Sequence, residues 1–351
     1  MREVAVVAFA QAPIVRRETE RNEVEILLPV VRDAVERSGI PKSEIGFTVS
    51  GSCDYLAGQP FAFVMALDTI GAWPPVRESH VEMDGAWALY EAWVRLQHGD
   101  VDSALVYAFG KSSLGDVGEV LALQLDPYYL APLWPDPVSL AALQARAWLE
   151  ADGHSEREMA QVAARSRASA RNNPNAQLAG DFDIDDLLAE PYLVSPLRRH
   201  DCPPISDGAA AVVLAAGDLA RRVCQQPAWI RGIDHRIEAQ ALGARDLTVS
   251  SSTALAAEKA GVASGPVDIA ELHAPFTHQE LILRGALGLD GETQVNPSGG
   301  ALAAHPLMVA GLTRIGEAAQ RIMDGVAGRA VAHATSGPCL QQNLVCVLEA
   351  E

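Results

Sequence analysis

Two histidines occupy chain positions from which an imidazole could take part in proton transfer. His305 follows a turn-forming stretch that contains Gly299 and Gly300, and it precedes a proline and a long apolar run. Adjacent glycines allow a backbone to approach a ligand closely or to adopt a positive φ. His273 ends the apolar run Ile269–Leu272. The unperturbed pKa of histidine is close to neutral pH, so both side chains could act as general acids or bases, and a structural role is the alternative.

The elements that must position these histidines alternate between strand and helix. Eight apolar runs have the character of buried strands: Val4–Phe9, Ile45–Ser50, Ser103–Gly110, Ile205–Leu214, Ala228–Ile233, Ile269–His273, Arg329–Ala334 and Leu344–Leu348. Helical spacing is found over Arg21–Ser38, Met83–Leu96, Ser139–Leu149, Ser155–Ala170, Thr253–Ala260, Thr277–Leu287 and Leu307–Ile322. This alternation predicts a layered α/β fold with buried sheets.

The order of these elements predicts two similar halves and an excursion between them. The N-terminal half is predicted to comprise residues 1–111 and 193–220, and the C-terminal half residues 221–351. Residues 112–192 hold many of the prolines and are predicted to form an inserted loop, or cap, domain. Helices but no convincing strand are expected from 112 to 200. Two βαβ-type halves point to an internal duplication, although the halves share little residue identity.

Composition and charge exclude several classes of protein. The 351-residue chain is 49% hydrophobic and 21% charged, as in ordinary globular proteins. Its net charge of −18 argues against a nucleic-acid surface, which needs basic clusters. No apolar run approaches the roughly 18 residues of a membrane span, and the N-terminus has the pattern of a buried strand rather than a signal peptide. The five cysteines lack metal-ligand spacing, which predicts free thiols, a cytoplasmic location and no metal site.

Three segments, in this order along the chain, resemble the thiolase superfamily. The segment Ser195–Ala211 is similar to the strand that follows the loop domain in sterol-carrier-protein type thiolases and bacterial lipid-transfer proteins. Glu271–Thr277 resembles their His-Asp-Cys-Phe segment, with two of the four residues changed. Asn296–Gly311 resembles their Gly-His-Pro segment, with Ala304 in place of the glycine. The resemblance covers nearly the whole chain and implies a five-layered αβαβα fold, built from two duplicated halves, with a site for acyl-CoA thioesters.

The same resemblance indicates that this chain lacks the family's nucleophilic cysteine at its expected position. Its catalytic cysteine begins the small-residue helix, and the matching position here is Glu82, which is also consistent with a simple helix N-terminal carboxylate. Its second cysteine belongs to a Cys-x-Gly stretch that matches Thr335-Ser336-Gly337, with Cys339 two residues beyond. Cys339 is also consistent with an inert buried thiol. Ordinary thiolysis requires a thiolate, whereas His305 and His273 do stand at matching positions.

The remaining groups satisfy the needs of a retro-aldol cleavage, in which a base removes a β-hydroxyl proton and an oxyanion hole holds the enolate. The candidate catalytic residues are His305, His273, Glu82 and Cys339. The candidate oxyanion and substrate-binding residues are Gly299, Gly300, Ser336 and Gly337. No covalent nucleophile and no bound cofactor are required, because coenzyme A enters as part of the substrate.

The resemblance therefore implies a thiolase-like subunit that acts on acyl-CoA thioesters in lipid or steroid side-chain catabolism. It would cleave carbon–carbon bonds or transfer acyl groups, as a dimer with a sibling thiolase-like chain and an OB-fold/zinc-ribbon protein. The alternatives are a non-catalytic partner of a catalytic sibling and a lipid or acyl-CoA carrier. The net charge slightly favours a partner, because an acidic chain repels anionic CoA unless a basic patch exists. The arginines that could form such a patch are Arg165, Arg167, Arg198 and Arg199.

Overall fold

A computed structural model describes residues 2–151 and 153–351 of the chain. The strands in these residues are β1 (Val4–Gln11), β2 (Phe47–Gly51), β3 (Glu78–Val81), β4 (Ser103–Lys111), β5 (Tyr192–Val194), β6 (Leu197–Arg198), β7 (Asp207–Ala216), β8 (Ala228–Ile237), β9 (Ile269–Leu272), β10 (Gln294–Val295), β11 (Arg329–Ser336) and β12 (Gln342–Glu349). Each of the eight predicted strands is present.

The helices connect these strands. They are α1 (Glu23–Ser38), α2 (Asp54–Ala57), α3 (Phe63–Ile70), α4 (Gly85–His98), α5 (Val117–Ala122), α6 (Pro137–Ala151), α7 (Glu156–Ser169), α8 (Ile184–Ala189), α9 (Gly217–Val223), α10 (Ser251–Ala260), α11 (Thr277–Ala286), α12 (Gly300–Ala303) and α13 (Ala310–Met323). Among the described residues, no helix has the length and apolar character needed to cross a membrane.

Ten strands form one sheet in the order β10-β9-β11-β12-β8-β1-β7-β4-β2-β3. In the N-terminal set of five, β2 pairs in parallel with β3 and β4, and β7 pairs antiparallel with β4 and β1. In the C-terminal set, β9 pairs in parallel with β10 and β11, and β12 pairs antiparallel with β11 and β8. The same chain order and the same pairing recur in both sets, which confirms the predicted duplication.

Helices separate and cover the two sets of strands. Helix α1 packs on β1, β4 and β7, and α10 packs on β8 and β12. Helices α4 and α13 contact each other and lie between the two sets. The central core includes Phe9, Val106, Leu312 and Leu344, all buried. This arrangement confirms the five-layered αβαβα fold expected from the resemblance.

Two glycines allow the central helices to pack closely. A Cβ atom at Gly85 would lie 2.7 Å from the Cβ of Ala108 and 2.9 Å from a methyl carbon of Leu312. A Cβ atom at Gly316 would lie 2.1 Å from the ring of Phe9. Because these separations are below van der Waals contact, any larger side chain would push the helices off the sheets.

Besides short elements that the sequence did not predict, such as β10 and α2, three differences from the predicted elements have a clear cause. Residues 112–200 are not free of strands, because β5 and β6 form a two-stranded hairpin at the end of the excursion. The short edge strand β3 was not predicted; its residues are only partly buried or exposed, so they lack the apolar pattern of an internal strand. Helix α13 begins at Ala310 rather than at Leu307, because Met308 adopts a left-handed backbone conformation with φ 70°.

Candidate active site

A cavity of about 390 Å³ lies where the carboxyl ends of β9 and β11 meet the excursion. His273 follows β9, and Thr335 and Ser336 end β11. Ligands of layered α/β folds bind at such strand ends, because the loops that leave the strands gather there. Apolar side chains form much of the remaining wall, among them Leu121, Leu125, Leu140, Ile205, Phe276 and Leu340.

The structure brings His273 and His305 together in the wall of this cavity. Their Nε2 atoms are 2.9 Å apart, and both residues are buried. The backbone N–H of His273 donates to the carbonyl of His333 on β11, and the backbone N–H of His305 donates to Ser206 Oγ. Each imidazole is therefore carried on a segment that is hydrogen-bonded to a neighbouring strand or loop.

One further hydrogen bond assigns the protons of the histidine pair. The backbone N–H of Thr335 donates to His273 Nδ1 at 3.4 Å, so Nδ1 carries no proton. A neutral His273 then carries its proton on Nε2 and donates it to His305 Nε2. The Nε2 lone pair of His305 is thus the proton-accepting position of the pair.

Burial keeps both imidazoles neutral at physiological pH. It lowers the pKa of His305 to about 4, with a further contribution from the nearby Arg314 guanidinium. It also lowers the pKa of His273 well below its usual value, and the neighbouring His305, His333 and Arg314 act in the same direction. A buried cationic imidazole would have to lose its hydration, whereas a neutral one keeps a lone pair for proton transfer.

A buried ion pair fixes the turn that leads to His305. Glu271 on β9 accepts from the backbone N–H of Ser298 at 3.0 Å and from its hydroxyl at 2.6 Å. Arg314 on α13 donates to the same carboxylate at 2.8 Å, and both charged side chains are almost fully buried. Glu271 therefore connects the strand that precedes His273 to the turn that precedes His305.

Gly299 and Gly300 serve the turn rather than the cavity wall. Their φ angles are 98° and 64°, in the left-handed region that favours glycine. The N–H of Gly299 donates to the carbonyl of Asn296, and that of Gly300 donates to Ser298 Oγ. Both amides thus have acceptors within the turn, and neither glycine contributes to the cavity wall.

The acidic residues at the start of α4 occupy different environments. Glu82 is exposed, does not line the cavity and accepts from the backbone N–H of Asp54 at 2.7 Å. Asp84 is buried and does line the cavity. Its carboxylate accepts from the N–H groups of Ala86, Gly311 and Leu312, so it caps both α4 and α13. An Asp-Gly step before a small-residue helix is the sequence signal that could have identified this cap.

The turn after β11 contributes Ser336, Gly337 and Cys339 to the cavity wall. The thiol of Cys339 donates to the carbonyl of Leu140 at 3.4 Å, and burial raises its pKa to about 12. Burial likewise raises the pKa of Cys202, a second thiol of the wall, to about 12. Both thiols are therefore protonated at neutral pH, the form that is not nucleophilic.

Two of the four arginines of the expected basic patch are engaged elsewhere. Arg165 pairs with the buried Glu280, and Arg198 pairs with Glu156. Arg199 is exposed. Among the described residues, no group of three or more histidine, cysteine, aspartate or glutamate side chains is arranged to hold a metal ion.

No family model matches the chain, but comparison with known proteins finds several relatives. An acetyl-CoA acetyltransferase of Methanothermobacter thermautotrophicus is 27% identical over 94% of this chain and 93% of its own length. The benzoylsuccinyl-CoA thiolase subunit BbsB of Thauera aromatica is also 27% identical, over 58% of this chain and 60% of that protein. Sterol carrier protein 2 of Gallus gallus is 27% identical over 70% of this chain and 52% of that protein.

Solved structures show the same fold. The Ltp2-ChsH2(DUF35) aldolase superposes with a TM-score of 0.82 over 99% of this chain and 98% of that chain, at 20% identity. The Bacillus anthracis acetyl-CoA acetyltransferase superposes with a TM-score of 0.79 over 100% of this chain and 99% of that chain, at 18% identity. Together with a relative that matches over nearly the whole length, these findings show that the chain is a homologue of thiolase-superfamily proteins and has their fold.

Proposed function

We propose that this chain cleaves a carbon–carbon bond in acyl-CoA thioesters by a retro-aldol reaction, with His305 as the base and His273 as its hydrogen-bond partner. The observation that carries the proposal is the buried pair of neutral imidazoles, with Nε2 atoms 2.9 Å apart, in the wall of a largely apolar cavity. The protonated thiols of Cys202 and Cys339 support a route without a covalent acyl-enzyme.

The reaction begins when the hydroxyl of a β-hydroxyacyl thioester enters between the two Nε2 atoms and replaces their direct hydrogen bond. The Nε2–H of His273 donates a hydrogen bond to the hydroxyl oxygen and keeps its proton, while the Nε2 lone pair of His305 accepts the hydroxyl proton. The oxygen forms a carbonyl as the Cα–Cβ bond breaks, and the electron pair of that bond moves into the thioester to give an enolate. Return of the proton from His305 to Cα releases a carbonyl product and a shorter acyl thioester.

The cavity favours a large apolar acyl group. Its volume of about 390 Å³ lies within the range of small-molecule sites. One water molecule takes up about 30 Å³ in the liquid. An acetyl group has only a few heavy atoms, so it would leave most of the cavity empty. Leu121, Leu125 and Leu140 give the wall a character that suits a hydrocarbon chain. We therefore propose a lipid or steroid side-chain thioester as the substrate class.

We also propose that the chain works with a sibling subunit. Strand β3 is an edge strand, and exposed apolar side chains lie on the segments before it: Tyr55, Phe61, Val64 and Trp73. An unprotected edge beside exposed apolar surface is typical of an interface. BbsB is a thiolase subunit, and Ltp2 is joined with ChsH2 in its solved structure, which supports a heteromeric assembly. A partner of the OB-fold/zinc-ribbon class remains part of the proposal.

The test is to supply a 3-hydroxyacyl-CoA to the chain, alone and co-expressed with a thiolase-like sibling. We expect equal amounts of a carbonyl product and a shortened acyl-CoA, with no change in the intact mass of the protein. A stable acyl adduct that is lost on substitution of one cysteine would contradict the retro-aldol route. Absence of turnover in an assembled complex would instead favour the hypotheses of a non-catalytic partner or a carrier. A monodisperse monomer that is active alone would contradict the proposal of a sibling subunit.

A further inference from the structure

Met308 has a strained backbone conformation in the wall of the cavity. Its φ is 70°, in the left-handed region that residues with a Cβ rarely adopt, and its side chain is half-buried. A glycine would adopt the same conformation without strain. Strained residues of this kind persist where surrounding groups enforce the conformation, and they are concentrated at ligand sites. A methionine at this position is therefore a candidate for a functional role.

Two glycines of the N-terminal half hold the backbone around Met308. The N–H of Gly85, at the start of α4, donates to the Met308 carbonyl at 2.8 Å. Near the end of β4, a Cβ atom on Gly110 would lie 2.1 Å from the carbonyl oxygen of Leu307, so the two backbones are in direct contact. The segment that follows His305 is thus fixed between the start of α4 and the end of β4.

Met308 belongs to a partition between the cavity and a second, much smaller void. The residues that line both spaces are Ser112, Leu307 and Met308. The small void has a volume of about 10 Å³. Its far side includes Cys53, Leu56, Ala57 and Phe109. Only the three shared residues therefore separate the cavity from the further empty space.

The partition lies at the closed end of the cavity. The exposed residues of the cavity wall, which mark its opening to solvent, are Gln124, Asp136, Ile205 and Gly337. Ser112, in contrast, is only 2% exposed, and Asp84, beside the glycine that binds the Met308 carbonyl, is also buried. A hydrocarbon chain that enters through the opening and fills the cavity would therefore end against the partition.

We propose that Met308 sets the length of the acyl chain that the cavity accepts, because its side chain closes the cavity toward the small void. This inference rests on the proposed function, since it takes the cavity as an acyl site. The thioether side chain is flexible and apolar, which suits contact with the end of a hydrocarbon chain. The left-handed φ fixes the direction in which the Cβ leaves the held backbone, so the strain accompanies the placement of this side chain in the partition.

The probes are saturated acyl-CoAs from butanoyl to tetradecanoyl, which have no β-hydroxyl group and cannot undergo retro-aldol cleavage. For the natural chain, calorimetric titration should show affinity rising about fourfold for each added methylene, the value for one buried CH₂, until the chain reaches the partition. Met308→Ala and Met308→Gly should join the two spaces and move this limit to chains that are roughly two or three carbons longer.

Leu121→Ala is the matched control. It removes as many heavy atoms as Met308→Ala, from a part of the cavity wall that does not border the small void. We expect it to leave the limit of chain length where it is in the natural chain. An equal lengthening in Leu121→Ala, or an unchanged limit in the folded Met308 variants, would overturn the role of Met308. Absence of saturable binding of every probe to the natural chain, also when it is assembled with a sibling, would instead contradict the proposed function.

A second measurement tests the strain at Met308 without any ligand. At most positions alanine gives a more stable protein than glycine, because glycine loses more conformational freedom on folding. At a left-handed position the order reverses, because the alanine Cβ is strained there. We therefore expect the urea midpoint of Met308→Gly to lie above that of Met308→Ala. The opposite order would overturn the left-handed conformation, and with it the placement of the side chain on which the proposal depends.

Discussion

The N-terminal and C-terminal halves pair their five strands in the same way, but they differ in the residues at equivalent positions. Strand β2 buries Val49 in the N-terminal half, whereas the equivalent strand β9 buries the charged Glu271. The segment after β3 leads directly into α4 through Asp84 and Gly85. The segment after β10 instead forms a long polar turn, stabilised by Glu271, that ends at His305.

The cavity wall shows the same difference between the halves. The C-terminal half supplies both imidazoles and the turn that follows β11. The N-terminal half supplies Asp84, whose carboxylate is already engaged by three backbone N–H groups, and also Cys202 and Ile205, of which the Cys202 thiol is protonated. The two halves thus have equivalent sets of strand ends, and the side chains at those ends determine which set can form a catalytic site.

Loss of either imidazole of the pair should have the largest effect. In His305→Ala we expect turnover to fall by roughly 10²- to 10⁴-fold, the usual range for a positioned acid or base, and His273→Ala should behave similarly. His98→Ala, in the N-terminal half, is the matched control because His98 is exposed at the end of α4. Steady-state turnover of a 3-hydroxyacyl-CoA measures the effect, and circular dichroism checks the fold. Unchanged turnover in His305→Ala would leave only a scaffold role for this chain.

Disruption of the buried Glu271–Arg314 ion pair should have the next largest effect. Arg314→Met leaves the Glu271 carboxylate buried without its main cation, which typically costs 3–5 kcal/mol of unfolding free energy, roughly. Adding Glu271→Gln should recover part of that loss, because the unpaired charge is removed. Urea denaturation of the two single variants and the double variant measures the coupling. Additive losses in the double variant would mean that the pair does not act as a unit. Val49→Ala, at the equivalent strand of the N-terminal half, should cost less and show no such coupling.

Acid should weaken the C-terminal half through its buried histidines. Burial lowers the pKa of His305 and His333 to about 4 and that of His278 to about 3, against 6.5 for the free side chain. Below about pH 6.5 the unfolded chain therefore binds more protons than the folded chain, and stability falls as the pH falls toward 4. Each such histidine contributes up to about 1.4 kcal/mol per pH unit in this window.

Carboxylates also titrate in part of this window, so the test compares variants. We expect the unfolding free energy of His305→Gln to depend less steeply on pH between 6.5 and 4.5 than that of the natural chain. His98→Gln, at an exposed position, is the matched control for the loss of one histidine. Equal slopes in all three proteins would show that His305 is not the source of acid sensitivity.

Much of the fold was predictable from the sequence, because strands that are buried on both faces are long and apolar. All eight predicted strands are present, from Val4–Gln11 to Gln342–Glu349. The strands that escaped prediction are short or lie at edges: β3 has four residues, β10 has two, and neither is fully buried. Their position depends on pairing with a neighbour rather than on their own composition, and a sequence pattern does not reveal such pairing.

The candidate site was predictable only in part. Motifs pointed to His273 and His305, and the structure brings them to 2.9 Å from each other. The Asp-Gly step could have marked Asp84 as the cap of α4, but Asp84 also accepts from Gly311 and Leu312 of α13, far along the chain. Nothing in the local sequence indicates those distant contacts, because packing of separate elements creates them.

Substitution of Glu82 should have the smallest effect, and it tests the comparison of the halves most directly. The sequence resemblance predicts that Glu82 stands at the position of the family's nucleophile, whereas the structure shows that its carboxylate is exposed, accepts from the Asp54 N–H and lies outside the cavity wall. In Glu82→Gln we expect turnover within about threefold of the natural chain, because the side chain does not reach the histidine pair. The unfolding free energy should fall by about 0.5–1 kcal/mol, the range for a weakened cap of a helix start. A loss of turnover comparable to that of His305→Ala would mean that the assembled complex brings Glu82 to the reacting atoms, and the N-terminal half would then share in the chemistry.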